Sequence, residues 1–446
     1  MTSRVETALK AATDTKALLI GPGTLCEIAS LFRAQFGADA RAIIVADTNT
    51  HTAVGGAASV LLRGDGVPQD EPLVLDARDL HAEYCHVETI LARLRATAAV
   101  PVAVGSGTVN DLCKLAAHLA GRPYMVVGTA ASMDGYTSFG ASITKDGAKQ
   151  TMTCPAPRAA LADIDIFARA PAEMTAAGYA DLFAKITGGA DWLVADAAGA
   201  DPLNPVAWDL VQGGLPLALS DPAGVRAGDP VALGRLVEGL MLGGFAMQYA
   251  KSSRPASGAE HYISHIWDME HHRHNGRGVS HGFQVAIGTI TILAFYEELL
   301  KIDLTALDVA AATAAWPEFA GMEKTIHALY GGGSIGRILS ESRAKYVGRQ
   351  AVAAQLELIK RAWPGLKTRL EKQLIPVAEA QRRLAAAGVP TEPEHISISR
   401  ARLRETLLKA PYFRNRFTAI DLAQRAGLFD ACVAALFGPG GRWEIK

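Results

Sequence analysis

Six of the twelve histidines of this chain lie between His261 and His281, in the stretch HYISHIWDMEHHRHNGRGVSH. Imidazole nitrogens are common ligands of divalent metals, and a catalytic metal site keeps one coordination position open. His261 and His265 are four residues apart, so a helix would place both on one face. His281 precedes a long apolar segment, and its ring could turn back toward that pair. This spacing favours a metal or catalytic site over three unrelated structural histidines.

A carboxylate often completes an imidazole-rich metal site, and Asp181 in GYADLFAKITGGADW is the best candidate. The alternative is an i, i+4 salt bridge with Lys185, and spacing alone does not decide between them. The absence of an H-E-x-x-H motif argues against a metalloprotease. The remaining histidines, His271, His272 and His274, lie in the polar segment EHHRHNGRG and are expected to be solvated rather than functional.

A second candidate site lies in VPVAVGSGTVNDLCKLAAHLAG, a pattern typical of a buried strand, a glycine turn and an amphipathic helix. Gly105 and Gly107 lack a Cβ, so a diphosphate could approach the backbone closely. The N–H groups that open the helix near Thr108 would point toward it. Asn110 replaces the third glycine of the usual dinucleotide fingerprint, so a plain strand–helix turn is the alternative.

Asp47 ends the apolar strand RAIIVAD, where a carboxylate can accept hydrogen bonds from the adenosine ribose of NAD. Its alternative role is a helix N-cap. Together, Asp47 and the glycine turn predict a dinucleotide site. A carboxylate there repels the extra phosphate of NADP, so we expect NAD(H) to be preferred and NADP(H) to be usable. Arg41, which opens the same strand, could offset part of that repulsion.

The segments that carry these residues divide the chain into two parts. The first part alternates short apolar runs with helical stretches, which predicts an α/β fold with a mostly parallel sheet. From about Pro171 onward, long Ala- and Leu-rich segments predict an all-α region. We therefore expect an α/β dinucleotide-binding domain over residues 1–170 and a helical metal- and substrate-binding domain over residues 171–446.

The overall charge and the cysteines limit the classes of partner. The chain has 44 Lys and Arg against 45 Asp and Glu, which argues against nucleic acid or an anionic membrane surface as the main partner. Its five cysteines contain no C-x-x-C pair, as expected for thiols in a reducing cytoplasm and not for a structural zinc site. We see no signal peptide and no apolar run of about eighteen residues. A cytoplasmic protein without membrane insertion is expected.

Four motifs resemble those of the sn-glycerol-1-phosphate dehydrogenases, a family of the iron-type alcohol dehydrogenase and dehydroquinate synthase superfamily. They are TAASMDGYTS, GYADLFAKITGGADW, SGAEHYISHIWDM and SHGFQVAIGTI, in family order between about Asp47 and about Gly288. The resemblance implies reversible reduction of dihydroxyacetone phosphate to sn-glycerol 1-phosphate with NAD(P)H, within phospholipid metabolism. We also expect a homo-oligomer with a small phosphorylated ketone or polyol as its substrate.

The resemblance also implies roles for individual residues. Asp181, His261 and His281 would bind one divalent metal, with zinc or nickel expected ahead of iron. Asp134, Asp181 and His265 would contact the substrate, with Asp181 and His265 catalytic. His265 would leave the metal to the other ligands and is our candidate proton donor, because an imidazole titrates near neutrality. The cofactor would be held by Asp47, Gly105, Ser106, Gly107, Thr108, Val109, Thr129, Ala130, Ala131, Ser132 and Ser138.

Two departures from the family pattern lie beside these residues. The EHHRHNGRG segment lengthens the spacing between His265 and His281, and Phe283 stands where the family has an acidic residue. Both could alter the choice of substrate. Two alternative functions stay open: a related polyol or glycerol dehydrogenase of the same superfamily, or a catalytically silent sugar-phosphate-binding protein on the same scaffold.

Overall fold

The computed structural model describes residues 3–331 and 335–445. Its strands are β1 (Ala17–Gly21), β2 (Ala42–Asp47), β3 (Leu73–Leu75), β4 (Val100–Gly105), β5 (Met125–Gly128), β6 (Ala141–Lys145), β7 (Ala148–Met152), β8 (Ala159–Asp163), β9 (Arg273–His274) and β10 (Arg277–Gly278). Its α-helices are α1 (Ser3–Ala11), α2 (Ile28–Phe36), α3 (Thr48–Thr50), α4 (Gly56–Gly64), α5 (Tyr84–Arg95), α6 (Gly107–Leu119), α7 (Ile164–Phe167), α8 (Ala172–Phe183), α9 (Lys185–Ala197), α10 (Pro205–Gln212), α11 (Leu215–Ala218), α12 (Pro222–Ala227), α13 (Pro230–Ala250), α14 (Ala259–Met269), α15 (His281–Leu299), α16 (Val309–Ala315), α17 (Phe319–Tyr330), α18 (Ile335–Lys345), α19 (Arg349–Gln373), α20 (Val377–Ala386), α21 (Arg400–Lys409), α22 (Ala419–Arg425) and α23 (Phe429–Phe437).

Six strands form a parallel sheet in the order β1-β8-β5-β4-β2-β3. The interior strands β2, β4, β5 and β8 are buried along almost their whole length. Parallel strands that are covered on both faces require near-continuous apolar sequence, which AIIVAD and VPVAVG supply. The predicted fold class, an α/β region with a mostly parallel sheet followed by a helical region, is confirmed.

The chain forms two compact units. Unit 1 comprises Met1–Leu182, Val206–Ser253 and Ala386–Gly388, and unit 2 comprises Phe183–Pro205, Arg254–Ala385 and Val389–Lys446. The six-stranded sheet lies in unit 1, together with helices α11 to α13. Among its described residues, unit 2 is helical apart from the two-stranded β9–β10 hairpin. The predicted domain boundary between residues 170 and 171 stays a prediction.

Helix α13 is a core helix of unit 1. Among the described helices, it is the one long and apolar enough to cross a membrane, yet 67% of its most apolar window is buried inside the protein. The side chain of Asp229 caps it by accepting hydrogen bonds from the N–H groups of Val231 and Ala232. A Cβ added at Gly244 would lie 2.2 Å from Oγ1 of Thr137. Glycine at this position therefore lets the loop after β5 pack directly on the helix backbone.

In unit 2, one buried carboxylate joins four helices. Oδ2 of Asp191, on α9, accepts from the N–H of Ala259 at 2.7 Å, and Oδ1 accepts from the N–H of Ala419 at 2.9 Å and the Tyr296 hydroxyl at 2.7 Å. These bonds satisfy first-turn N–H groups of α14 and α22. Burial and the neighbouring Glu260 raise the pKa of Asp191 to about 6. No sequence pattern points to this role.

Candidate active site

A cavity of about 330 Å³ opens in unit 1 beside the carboxyl ends of β2 and β4. Ligands of open α/β sheets bind at this edge, and the volume suits a small molecule. The predicted cofactor residues that line it are Asp47, Ser106, Thr108, Val109, Thr129 and Ala130. Another part of the wall comes from residues outside the predicted motifs: Ile166, Arg169, Ala170, Pro171 and Met174.

Asp47 takes the N-cap role, and its ribose contact stays a prediction. It ends β2, and its Oδ1 accepts hydrogen bonds from the N–H groups of Asn49 and Thr50, both at 2.8 Å. The N-cap alternative is therefore realised. Within the described part of the chain, Oδ2 of Asp47 accepts no hydrogen bond, and the residue lines the cavity. Capping α3 thus leaves a carboxylate oxygen available to a ligand.

Arg169 lines the cavity together with Asp47, whereas Arg41, which could offset the repulsion only by bending toward the site, does not bend toward it. Arg41 precedes the opposite end of β2, where it donates to the carbonyl of Gln69 at 3.1 Å and pairs with Asp70 at 3.4 Å. At roughly 3.3 Å per residue, about 20 Å of strand separates it from Asp47. Arg169 is exposed and lines the same cavity as Asp47.

The turn between β4 and α6 is tight: the strand ends at Gly105 and the helix begins at Gly107. Oγ of Ser106 accepts from the N–H of Gly107 at 2.7 Å and lies 3.2 Å from Oγ of Ser132. A Cβ added at Gly105 would approach Cβ of Val109 to 2.5 Å, so the helix can pack against the strand end only with glycine there. The helix begins at Gly107, one residue before the predicted start.

The loop that follows β5 and contains TAASMDGYTS is fastened to α6 by buried polar side chains. Nδ2 of Asn110 donates to the carbonyl of Gly135 at 3.3 Å. Nζ of Lys114, which is almost fully buried, donates to the carbonyls of Gly135, Ser138 and Gly140 at 3.1, 3.2 and 3.0 Å. Asn110, which replaces the third glycine of the fingerprint, therefore holds this loop in place. The sequence signal for Lys114 is a lone lysine on the apolar side of an amphipathic helix.

Three further residues assigned to the cofactor lie away from the cavity wall. Ala131 and Ser138 are buried, and Ser132 contacts Ser106. With Gly105 and Gly107, they are absent from the cavity lining among the described residues. Direct contact of these five residues with a dinucleotide stays a prediction.

Two of the predicted substrate contacts meet in unit 1. The N–H of Asp134 donates to Oδ2 of Asp181 at 3.1 Å, and Asp181 is 1% exposed. Helix α8 passes the loop so closely that a Cβ at Gly178 would lie 1.8 Å from the carbonyl oxygen of Ala131. This close approach fixes the Asp181 carboxylate against the loop that carries Asp134.

Three of the six clustered histidines come together in unit 2. His261 and His265 share a face of α14, and His281 begins α15. The ring centroids are 6.0 Å apart for His261 and His265, 5.3 Å for His261 and His281, and 5.5 Å for His265 and His281. Phe283, the departure from the family pattern, lies in the first turn of α15 and is half-buried.

A buried glutamate orients the first of these rings. Oε1 of Glu260 lies 2.8 Å from Nδ1 of His261 and accepts from the N–H of Gly258 at 2.6 Å, while Oε2 accepts from the Thr187 hydroxyl at 2.9 Å. Burial opposes ionisation of Glu260, but the bonds from His261 and Gly258 hold its pKa below the ordinary value. An ionised Glu260 accepts the proton on Nδ1 of His261, and the neutral ring in this tautomer carries its lone pair on Nε2, the atom that would bind a metal.

The other two rings also have partners on their Nδ1 sides. Oγ of Ser264 lies 3.2 Å from Nδ1 of His281. Oδ2 of Asp268 lies 3.6 Å from Nδ1 of His265, and Oδ1 of Asp268 accepts from Nε2 of Gln284 at 2.9 Å. Donor atoms of His265, Asp268 and His281 lie within 4.8 Å of one another, so α14 and α15 also offer a second possible ligand set.

Two of the other clustered histidines, His272 and His274, contact the segment that contains Ile396 and Ser397. His272 is 8% exposed, and its Nε2 lies 2.6 Å from the carbonyl oxygen of Ile396. Burial lowers its pKa. Nδ1 of His274 lies 2.8 Å from Oγ of Ser397. The expectation that this segment is solvated is correct for the exposed His271 and wrong for His272, because the β9–β10 hairpin packs on the segment around Ile396.

Comparison with known proteins points to one family. Residues 19–171 match the family model described as iron-containing alcohol dehydrogenase. The chain is 34% identical over 256 residues to the glycerol-1-phosphate dehydrogenase [NAD(P)+] of Halalkalibacterium halodurans, covering 57% of this chain and 64% of the relative. It is 35% identical over 256 residues to the enzyme of the same name from Pyrococcus furiosus, covering 57% and 71%. The chain thus spans less than two thirds of the first of these relatives.

The fold also has counterparts among solved structures. One is sulfoacetaldehyde reductase from Bifidobacterium kashiwanohense in complex with NAD+, with a TM-score of 0.59 and 14% identity. The match covers 95% of this chain and 98% of that structure. At this identity the likeness concerns the fold alone.

Proposed function

Because the chain belongs to the glycerol-1-phosphate dehydrogenase family, within the iron-type alcohol dehydrogenases, we propose that it interconverts dihydroxyacetone phosphate and sn-glycerol 1-phosphate. The cofactor is NAD(H) by preference, with NADP(H) usable, and one divalent metal is required per chain. The enzyme acts in the cytoplasm as a homo-oligomer.

The observation that carries this proposal is the meeting of the His261, His265 and His281 rings in unit 2. The buried Glu260 carboxylate, in contact with Nδ1, orients the His261 ring so that its Nε2 can be a ligand. Imidazole nitrogens are good ligands for zinc and nickel, whereas hard cations prefer sites made only of oxygen ligands. The donor chemistry therefore fits a borderline divalent metal.

We assign Asp181, His261 and His281 as the metal ligands. Asp181 is buried in unit 1, and α8, which carries it, runs on to Phe183, the first residue of unit 2. When bound, the metal supplies Lewis-acid polarisation of the substrate carbonyl and stabilises negative charge on its oxygen. Two neutral imidazoles and one carboxylate leave the site with a net positive charge, which suits that task.

The chain's own residues would position the substrate and move one proton. His265 donates a proton to the oxygen of the reduced carbonyl, and Asp268 keeps its ring oriented from the Nδ1 side. Asp134 and Asp181 contact the substrate hydroxyls. Asp47 accepts from the ribose of the dinucleotide, whose nicotinamide supplies the hydride, and the turn from Gly105 to Val109 binds its diphosphate.

A coupled NADH assay against phosphorylated and free ketones, with metal content measured on the same sample, tests the proposal. We expect about one divalent ion per chain and steady turnover with dihydroxyacetone phosphate. Efficient turnover of free dihydroxyacetone or a polyol alone would favour the related polyol dehydrogenase. Binding of a sugar phosphate without NADH oxidation would favour the silent sensor.

A further inference from the structure

Two arginines in unit 2 face one aromatic ring beside His265. The guanidinium carbons of Arg337, on α18, and Arg414 lie 5.9 and 5.8 Å from the ring centroid of Phe413. The Phe413 ring stacks on His265, with centroids 6.2 Å apart and ring planes 18° apart. Both guanidinium groups therefore lie near the ring that stacks on His265, the histidine that we assign to the substrate.

The nearby carboxylate of Glu341 does not hydrogen-bond to the Arg414 guanidinium. Oε1 of Glu341 lies 3.9 Å from Nη1 of Arg414, and Oε2 accepts from the N–H of Asn415 at 2.9 Å. Over residues 3–331 and 335–445, the Arg414 guanidinium has no hydrogen-bond acceptor within reach. Burial lowers the pKa of Arg414, and the charges of Arg337 and Arg416 lower it further. An anion beside Arg414 would offset this repulsion.

We propose that Arg337 and Arg414 bind the phosphate group of a short phosphorylated ketone whose carbonyl end lies beside His265. The inference rests on the proposed function and deepens it. Guanidinium groups offer paired N–H donors that match phosphate oxygens, and two of them match the charge of a phosphate dianion. Both guanidinium groups and His265 lie near the Phe413 ring, so we place the phosphate and the reacting carbon in neighbouring positions around it.

Arg343 provides a matched control on the same helix. Its guanidinium lies 4.1 Å from the Phe319 ring centroid and pairs with Glu323 at 3.7 Å, and its side chain is 66% exposed. Arg343→Gln removes the same charge from α18 as Arg337→Gln does. It leaves the Phe413 ring and His265 untouched.

The test compares dihydroxyacetone phosphate with dihydroxyacetone in the metal-loaded, full-length protein. Arg337→Gln and Arg414→Gln should each raise KM for the phosphorylated ketone about 10- to 100-fold, the range for a charged hydrogen bond. Any kcat/KM for free dihydroxyacetone should change less than about threefold. Inhibition by inorganic phosphate should weaken by the same factor as the KM effect. Arg414→Lys, which keeps the charge, should fall between Arg414→Gln and the wild type, and Arg343→Gln should match the wild type.

The outcomes separate the two proposals. Equal losses on both ketones, or no loss in either arginine variant, would overturn the phosphate assignment while leaving the proposed function standing. A wild type that does not reduce dihydroxyacetone phosphate would overturn the proposed function. In that case calorimetric titration with inorganic phosphate still decides the assignment: binding at least tenfold weaker in Arg414→Gln supports it, and equal binding overturns it.

Discussion

The two histidines that share a face of α14 should behave differently when replaced. We expect His261→Ala to lose most of its metal and activity, because His261 is assigned as a ligand. His265→Ala should keep its metal and lose catalytic efficiency, because its contact is with substrate. Metal analysis by mass spectrometry and steady-state kinetics on the same samples check both variants.

A substitution at Asp268 distinguishes the assigned ligands from the second possible ligand set, which consists of His265, Asp268 and His281. The donor atoms of Asp268 lie within 4.8 Å of those of His265 and His281. If Asp181, His261 and His281 hold the metal, Asp268→Asn should retain it. Loss of metal in both Asp268→Asn and His265→Ala would make that second set the ligands.

Glu260 should act on the metal through His261. Its carboxylate holds the His261 ring at 2.8 Å, and losing such an outer partner weakens metal affinity by about 10- to 100-fold. We expect Glu260→Gln to show that loss in competition with a chromogenic chelator. Glu357→Gln, at an exposed position on α19, is the control. Unchanged metal affinity in a folded Glu260→Gln protein would contradict this role.

At the scale of elements, the end of β2 should set the choice of cofactor. The Asp47 carboxylate and the extra phosphate of NADP repel each other by about 1–3 kcal/mol, so NADH should exceed NADPH by roughly ten- to a hundredfold in kcat/KM. Asp47→Ser should narrow this ratio. Arg169→Gln should widen it, because Arg169 lines the same cavity. Arg41→Gln, at the other end of the strand, should leave it unchanged, and equal use of NADPH by the wild type would refute the claim.

Helix α13 should tolerate a methyl group at one glycine and not at another. At Gly244 the new Cβ would lie 2.2 Å from Oγ1 of Thr137, and such overpacking costs about 1–3 kcal/mol. Gly244→Ala should therefore lower the free energy of unfolding and, by moving the loop that carries Asp134, reduce kcat/KM. Gly234→Ala, with no atom within 4 Å of the new Cβ, should be neutral or up to about 1 kcal/mol stabilising. Urea titration measures the free energy of unfolding of both variants, and equal values for Gly244→Ala and the wild type would contradict this prediction.

At the scale of the whole molecule, Asp191 links stability to pH. Its pKa is raised to about 6 in the folded protein, above the ordinary 3.8. Between these values the folded state binds a proton that the unfolded state does not, so this contribution to stability grows as the pH falls from about 6 toward 4 and is lost as the pH rises through 6.

Asp191→Asn should remove this dependence and destabilise unit 2. The asparagine amide cannot accept at both oxygen positions, so one buried N–H loses its partner at a cost of about 1–3 kcal/mol. The difference in unfolding free energy between wild type and variant should be larger at pH 4.5 than at pH 7.5. Asp430→Asn, at an exposed position on α23, serves as the control. A difference independent of pH would contradict the assigned pKa.

The sequence by itself determined the parallel sheet, the helix under His261 and His265, and the family. These features depend on local patterns: continuous apolar runs for buried strands, a four-residue spacing for a helix face, and contiguous motifs such as TAASMDGYTS. The end of β2 at Asp47 and the turn at Gly105 follow in the same way, because chain conformation there is set by neighbouring residues.

Only the tertiary structure decided which polar groups meet across long stretches of chain. It placed Arg169, and not Arg41, in the cavity with Asp47, buried His272 against Ile396, and brought Arg337 and the Phe413 ring together beside His265. It also revealed Asp191, whose three hydrogen-bond donors come from three different helices. A buried polar group needs a hydrogen-bond partner, and its partner can be far away in the sequence. Local sequence patterns do not show which distant residues packing brings together.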